Sequence, residues 1–263
     1  MERLPGGLLE AGERRRDFRF KPVDGALEMA LLEAARTAPS TPAAVTAVLA
    51  TALEALAGGP ASTERVRRLC VADRQHLMRA LAVHFGERHA WMSARCAGCG
   101  EAFDFQLDLA CLPTDPAGPT FPEVAVDWQG RNWRFRLPNG ADQESLAEAG
   151  DVEALLQRCL LAPSGADVAE LGEAGHEAVD RAMDAVSPGV VSQAQAPCPH
   201  CEHDNRVVLN PYSLLGRAPD SLLAQVHNLA THYHWSEREI LDLPRERREA
   251  YLRLIDRARG MTQ

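Results

Sequence analysis

Hydrophobic residues along the chain switch between strand spacing and helix spacing, and the switches mark its parts. In "DFRFKPV", Phe18 and Phe20 alternate with charged residues, the two-residue period of a strand. The period then lengthens. Leu27, Leu31 and Ala34 fall on one helical face, and Asp24 stands where it can cap that helix. "STPAAVTAVLATALEALAGGP" carries the clearest helical stripe, formed by Val45, Val48, Leu49, Ala52, Leu53 and Leu56. Thr41 reads as its N-cap with Pro42 at the first helical position, and Gly58-Gly59-Pro60 as its end. A third helical region covers about residues 63–85, with a break expected near Asp73. It turns Leu77, Leu81 and Phe85 inward and stops at Gly86.

From residue 89 the spacing shortens. In "HAWMSARCAGCGEAFDFQLDL" a Cys-x-x-Cys-Gly turn is followed by alternating Phe103, Phe105, Leu107 and Leu109, a strand leaving a tight turn. "LPTDPAGPTFP" reads as a loop. "EVAVDWQGRNWRFRLP" reads as a hairpin about Gln129-Gly130, with Val124, Val126 and Trp128 on one strand and Trp133, Phe135 and Leu137 on the other. "DVEALLQRCLL" and "HEAVDRAMDAV" have helical spacing, and "APSGADVAELGEAG" between them is loop-like. "RVVLN" is a short strand after a second Cys-x-x-Cys. Helical spacing returns with Leu222, Val226, Leu229 and Tyr233 behind an Asp220 cap. A capping box follows at Ser236 and Glu239, then a last helix from about Arg245 to Arg259 with Tyr251, Leu254, Ile255 and Ala258 on one side.

These elements predict an α+β fold. A mainly helical N-terminal region (1–88) and a helical C-terminal region (211–263) flank a zinc-ribbon-like β region (89–210), into which a hairpin (123–137) and an acidic helical segment (138–190) are inserted.

Composition narrows the function. The 263 residues are 46% hydrophobic and 25% charged, a globular balance. The net charge of −9 is concentrated. Residues 138–190 hold eleven acids against Arg158 and Arg181, which accounts for all of it. Such an acidic belt repels phosphate and makes nucleic acid an unlikely main partner. No apolar run approaches the roughly 18 residues of a membrane span, and "MERLPGGLLEAGERRR" has no signal-peptide core. A cytoplasmic product is expected, where seven cysteines do not serve as disulfide staples.

Cys96-x-x-Cys99-Gly and Cys198-x-x-Cys201 share one layout, a turn and then a strand. Two such knuckles facing each other complete a four-cysteine tetrahedron, so Cys96, Cys99, Cys198 and Cys201 are the expected ligands of one structural zinc ion. The 98 residues between the knuckles form a long insertion, which costs only slowly growing loop entropy. A competing reading comes from "CPHC", a thiol-oxidase tetrapeptide. That chemistry needs the dithiol at a helix N-terminus, whereas "EHDNRVVLNP" gives an Asp204-Asn205 turn and a strand. His200 and His203 read as polar loop residues and alternative ligands. Cys70, Cys111 and Cys159 have no partner at ligand spacing and read as small buried side chains. His232 and His234 stand about 200° apart on a helix and do not converge. Asp73-Arg74 reads as an N-cap beside a surface arginine, with a functional pair as the alternative. The chain lacks G-x-S-x-G, H-E-x-x-H and a phosphate-binding glycine loop.

The order of motifs resembles the T-even-type baseplate protein family, which serves baseplate hub assembly in contractile phage tails and related injection machines. The matching pieces are "FRFKPVDGALEMAL", "VADRQHLMRALAVHFGERHAWMSARCAGCGEAFDFQLDL", "FRLPNGADQESLA", "APCPHCEHDN" and "VHNLATHYHWSEREILDLPRERREAYLRLI". The resemblance implies a non-enzymatic assembly factor or minor baseplate component in the bacterial host cell, with other tail or baseplate proteins as partners. It supplies no catalytic residues. Independently, residues 220–259 offer an amphipathic, arginine-rich face, with Arg245, Arg248 and Arg259 on one stripe, expected to meet such a partner or a second copy of the chain. The alternative function is a zinc-ribbon adaptor acting on nucleic acid or transcription, for which Arg131, Arg134 and Arg136 with Trp133 are the best basic patch. A thiol–disulfide enzyme is the third reading.

Overall fold

The first element is one the hydrophobic pattern does not announce. In the computed structural model, which describes residues 2–147, 151–210, 212 and 220–260, β1 (Glu2–Glu10) and β2 (Glu13–Phe20) form an antiparallel hairpin. Ala11 and Gly12, with φ of 50° and 83°, make its two-residue turn. The register of β1 slips between Arg3 and Leu8, where Gly6 and Gly7 bulge out of the ladder. That irregularity removes the alternation by which a strand is recognised.

α1 (Gly25–Thr37) starts at Asp24, whose side chain accepts the Leu27 N–H at 2.7 Å. α2 (Thr41–Ala52) is capped by Ser40 and not by Thr41. The long helical stripe ends early. Leu53–Leu56 is a strand, β3, which pairs with β2, and Gly59–Pro60 is the short β4. A register shift between Arg19 and Phe20 lets Leu53 and Leu56 both face the core, although three residues apart they would ordinarily point to opposite faces. A bulged strand therefore imitated helical spacing. Ala57 and Gly58, both at positive φ, form the β3–β4 turn where a helix end was expected.

α3 (Thr63–Arg68) and α4 (Val71–His84) break at Leu69-Cys70 and not at Asp73. Leu77, Leu81 and Phe85 are buried as the spacing predicts, and join Leu4, Phe18, Phe20, Val45 and Leu49 in the largest core cluster. Asp73 and Arg74 are fully buried, so neither the capping nor the surface reading holds. Asp73 accepts the N–H groups of Gly6 and Gly7, both at 2.8 Å, and thereby closes the β1 bulge. Arg74 donates to Thr46 Oγ1 and the Pro42 carbonyl.

β5 (His89–Arg95) and β6 (Ala102–Asp108) form a second hairpin. Within the expected loop, β7 (Thr114–Asp115) is a short strand. The hairpin of β8 (Glu123–Trp128) and β9 (Arg131–Arg136) turns at Gln129-Gly130 as expected. α5 (Gly140–Ser145) and α6 (Val152–Cys159) follow, and β10 (Leu160–Ala162) then adds to β9. The loop-like stretch contains a 3-10 turn over Val168–Leu171, and α7 (Gly172–Val186) begins within it. Trp133, Phe135, Leu156, Cys159 and Val179 share the core of this acidic insertion. β11 (Gly189–Val190) pairs with β7, and β12 (Gln193–Pro197) with β13 (Asp204–Val208).

The C-terminal region consists of α8 (Asp220–Tyr233), α9 (Glu237–Leu241) and α10 (Arg245–Ala258). The Asp220 side chain lies outside the described residues. The Ser236–Glu239 capping box is present. Leu229, Ile240 and Ile255 are buried, whereas Leu254 is 51% exposed, so the inner face of α10 is rotated from the expected stripe. Arg248 is fully buried. It pairs with Glu28 of α1, and its Nε donates to Gln225 Oε1 at 3.1 Å. Arg245 donates to the Phe85 carbonyl at 3.0 Å. Two of the three arginines expected to meet a partner, Arg245 and Arg248, instead fasten α10 to the N-terminal region, while Arg259 is exposed. The protein is thus α+β, and among its described residues no helix is long and apolar enough to cross a membrane.

Candidate metal centre

The two Cys-x-x-Cys turns sit at the tips of the β5–β6 and β12–β13 hairpins and repeat the same backbone bond for bond. In the first, the Cys96 N–H donates to the Glu101 carbonyl at 2.9 Å and the Gly100 N–H to the Cys96 carbonyl at 3.0 Å. In the second, the Cys198 N–H donates to the His203 carbonyl and the Glu202 N–H to the Cys198 carbonyl, both at 2.9 Å. The residue four after the first cysteine has positive φ in both, 78° at Gly100 and 61° at Glu202. The N–H two residues after that cysteine points at its sulfur in both. Gly98 donates to Cys96 Sγ at 3.3 Å, and His200 to Cys198 Sγ at 3.4 Å.

The hairpins face each other so that the sulfurs interleave. Cys96 Sγ lies 3.6 Å from Cys201 Sγ and Cys99 Sγ 3.8 Å from Cys198 Sγ, and all four lie within 4.8 Å of one another. A tetrahedral ion with metal–sulfur bonds of about 2.3 Å requires sulfur–sulfur edges of about 3.8 Å. The four cysteines therefore lie together and could hold a metal ion. Cys96 and Cys198 are buried against Phe103 and Ala196, while Cys99 and Cys201 face water.

Electrostatics point the same way. The Cys99 and Gly98 N–H groups, with Asn205, favour the Cys96 thiolate and bring its pKa down to about 6. At Cys99 the Glu101 N–H favours the thiolate, but partial desolvation by the neighbouring turn and the sulfurs of Cys201, Cys96 and Cys198 outweigh it and push the thiol up to about 12. At Cys201 the His203 N–H and the Cys99 sulfur favour the thiolate, yet partial desolvation and the sulfurs of Cys96 and Cys198 leave that thiol raised. Four crowded sulfurs resist joint deprotonation, and a divalent cation is the charge that removes the resistance.

Asn205 is the residue that sequence reasoning missed. It was assigned to a turn, but it lies in β13 and its side chain is buried between the knuckles. Its Oδ1 accepts the Ala97 N–H of the first knuckle at 2.9 Å. Its Nδ2 donates to the His203 carbonyl of the second at 2.9 Å and approaches Cys96 Sγ at 3.7 Å. One amide thus ties both turns to one sulfur. The local "DN" pair reads as a turn because both residues favour turns, and nothing nearby reveals a partner more than a hundred residues away.

His200 and His203 are exposed and stand outside the sulfur cluster, and His203 packs over Gly98. The second dithiol opens no helix; Cys198 follows one strand and precedes another. Cys70 and Cys159 are buried as expected, but Cys111 is exposed, with its thiol directed at Asp108 Oδ2 at 3.2 Å. His232 and His234 are both exposed. Comparisons with protein-family models, with curated proteins and with solved structures return no match.

Proposed function

We propose that this protein is a non-enzymatic structural or assembly protein of a contractile phage tail or a related injection-machine baseplate, held together by one structural zinc ion. The observation that carries the reading is the closed sulfur cluster. Four cysteines fill every position of a tetrahedral ion and leave none for water or substrate, which suits a structural role. Thiolate ligands in tetrahedral array favour zinc or iron, and the backbone N–H groups aimed at Cys96 and Cys198 Sγ would moderate the charge on either metal. Zinc is the simpler assignment, since a lone structural ion needs no redox change. The ordered segments that resemble the baseplate family supply the biological context.

The nucleic-acid alternative draws less support. Arg131 pairs with Glu170, Arg134 with Glu123 and Arg136 with Asp142, so each arginine of its basic patch already faces a carboxylate. The expected partners are other tail or baseplate proteins. A role for residues 220–259 in meeting them falls to side chains other than Arg245 and Arg248, which are engaged within the chain.

The test is genetic and structural together. Deleting the coding sequence from its phage or injection-machine cluster should leave tubes and sheaths without attached baseplates, and the intact gene should restore them. Normal, contractile, infective particles without this protein would overturn the proposal. Metal analysis of protein purified without chelator should give close to one zinc per chain; iron, with its visible absorbance, would displace the zinc assignment.

A further inference from the structure

A cleft of about 260 Å³ separates α4 from the β5–β6 hairpin. Gln75 and Arg79 of α4 line one side above the buried Met78, and Ala90 and Met92 of β5 line the other. Trp91 borders it and is 71% exposed, although tryptophan is among the costliest side chains to leave in water. Arg79 Nη2 donates to Thr114 Oγ1 at 2.5 Å, while Nη1 is buried without an acceptor, and no carboxylate among the described residues pairs with the guanidinium. β5 pairs with β6 alone, so among the described residues no strand covers its outer edge.

We propose that this cleft docks an extended apolar segment of a partner protein that carries a carboxylate, laid alongside β5. Each feature answers a different need of such a segment. The edge left free among the described residues offers unpaired N–H and C=O groups for strand addition, a recurring mode of peptide capture. The apolar walls take alternate side chains. The cationic Arg79, which no carboxylate of the described residues pairs, selects an acidic group by charge. Trp91 supplies the rim anchor typical of binding hot spots. A fatty acid would also match an apolar cleft with a guanidinium, but it leaves the strand edge unpaired. The inference stands on the cleft alone and requires neither the zinc assignment nor the baseplate role.

The test uses the full, metal-loaded chain and an array of synthetic decapeptides with alternating apolar and polar residues, each made with Asp or with Asn at one polar position. Some Asp peptides should bind at least roughly tenfold more tightly than their Asn counterparts. Binding should slow amide hydrogen exchange in β5. Trp91→Ala, a surface change, should weaken binding roughly tenfold, and Arg79→Gln should reduce the Asp-to-Asn preference to near one. Peptide binding that ignores both substitutions would overturn the proposal. So would binding of dodecanoate in the cleft with no peptide bound, or the absence of any Asp preference across the array.

Discussion

The N-terminal region and the knuckle unit solve the problem of stability in opposite ways. The N-terminal core gathers large side chains from three strands and four helices, with Leu4, Leu49, Leu53, Leu56, Leu69, Leu77 and Met78 at or near zero exposure. The knuckle unit has four buried apolar residues, and two of them are the cysteines Cys96 and Cys198. Two hairpins with so little apolar surface to share do not hold together by burial, because an isolated hairpin is marginal in water. A metal ion held by the four cysteines, as proposed, would replace the missing core. One region would then be insensitive to metal and sensitive to core substitution, and the other the reverse.

The largest expected effect comes from removing the metal. Structural zinc sites in small peptides contribute about 10–16 kcal/mol. Chelation, or Cys99→Ser, should therefore unfold the β5–β6 and β12–β13 tips while α1 to α4 remain folded. Hydrogen exchange read segment by segment checks this. Fast exchange at residues 93–103 and 196–206 beside unchanged protection in α4 is the expected outcome, and uniform loss or uniform retention would remove the contrast between the regions.

The N-terminal region has its own weak point, which acid should expose. Burial, with Arg79 and Arg16 nearby, lowers His76 to about 4. Its ring meets Phe18 edge-on and its Nδ1 is buried without a partner. The folded chain therefore binds this proton less readily than the unfolded chain does. Between pH 6.5 and about 4 the unfolded state takes up the proton, and stability falls as pH falls, by on the order of 3 kcal/mol across the window. Asp73, raised by burial, acts in the opposite direction. The comparison of wild type with His76→Phe cancels that contribution. The variant should show a flatter decline in denaturation midpoint from pH 7 to pH 4, and equal slopes would remove His76 as the cause.

The sequence carried these two regions unequally. The knuckles were readable because a ligand type and a spacing suffice to mark them, and the hairpin at Gln129-Gly130 because alternation and turn chemistry agree. What escaped was decided at a distance. Leu53 and Leu56 keep helical spacing, and only the bulge opposite Arg19 and Phe20 makes them strand. β1 was hidden by its own bulge at Gly6-Gly7, whose partner Asp73 lies 66 and 67 positions away. Arg248 looks like a surface arginine until Glu28, 220 positions earlier, is placed beside it. Charged residues are assigned to the surface by default, which is why Arg74 and Arg248 were misread.

Asn205 sharpens the contrast within the knuckle unit by separating metal affinity from fold. Residues that orient metal ligands typically change affinity 10- to 100-fold when removed. Asn205→Ala should weaken metal binding by roughly that factor in a chelator competition, because it frees Ala97 N–H and the His203 carbonyl together. Asn205→Asp keeps the acceptor for Ala97 but replaces the donor near Cys96 Sγ with negative charge, so it should bind metal no better than the alanine variant. Unchanged affinity in both would reduce Asn205 to a packing residue.

The smallest effect lies in the residue that each knuckle places at its left-handed position. Both need a left-handed residue four positions after the first cysteine, and only the first has glycine there. Gly100 adopts its φ of 78° freely, while Glu202 holds 61° against the crowding of its own Cβ, at a cost of roughly 1 kcal/mol. Among the described residues Glu202 makes no side-chain hydrogen bond or ion pair that offsets this, and it is exposed. Glu202→Gly should therefore stabilise the metal-loaded unit by a few tenths to about 1 kcal/mol, less than the full strain because glycine also loosens the unfolded chain. Gly100→Ala should cost about as much as Glu202→Gly gains, since a Cβ at Gly100 meets no neighbour and only the backbone conformation opposes it. The pair of variants compares the two turns directly by thermal denaturation of the loaded protein. Opposite shifts of similar size would establish that the two turns make the same backbone demand at this position; a destabilised Glu202→Gly would mean that the carboxylate contributes something the turn geometry alone does not require.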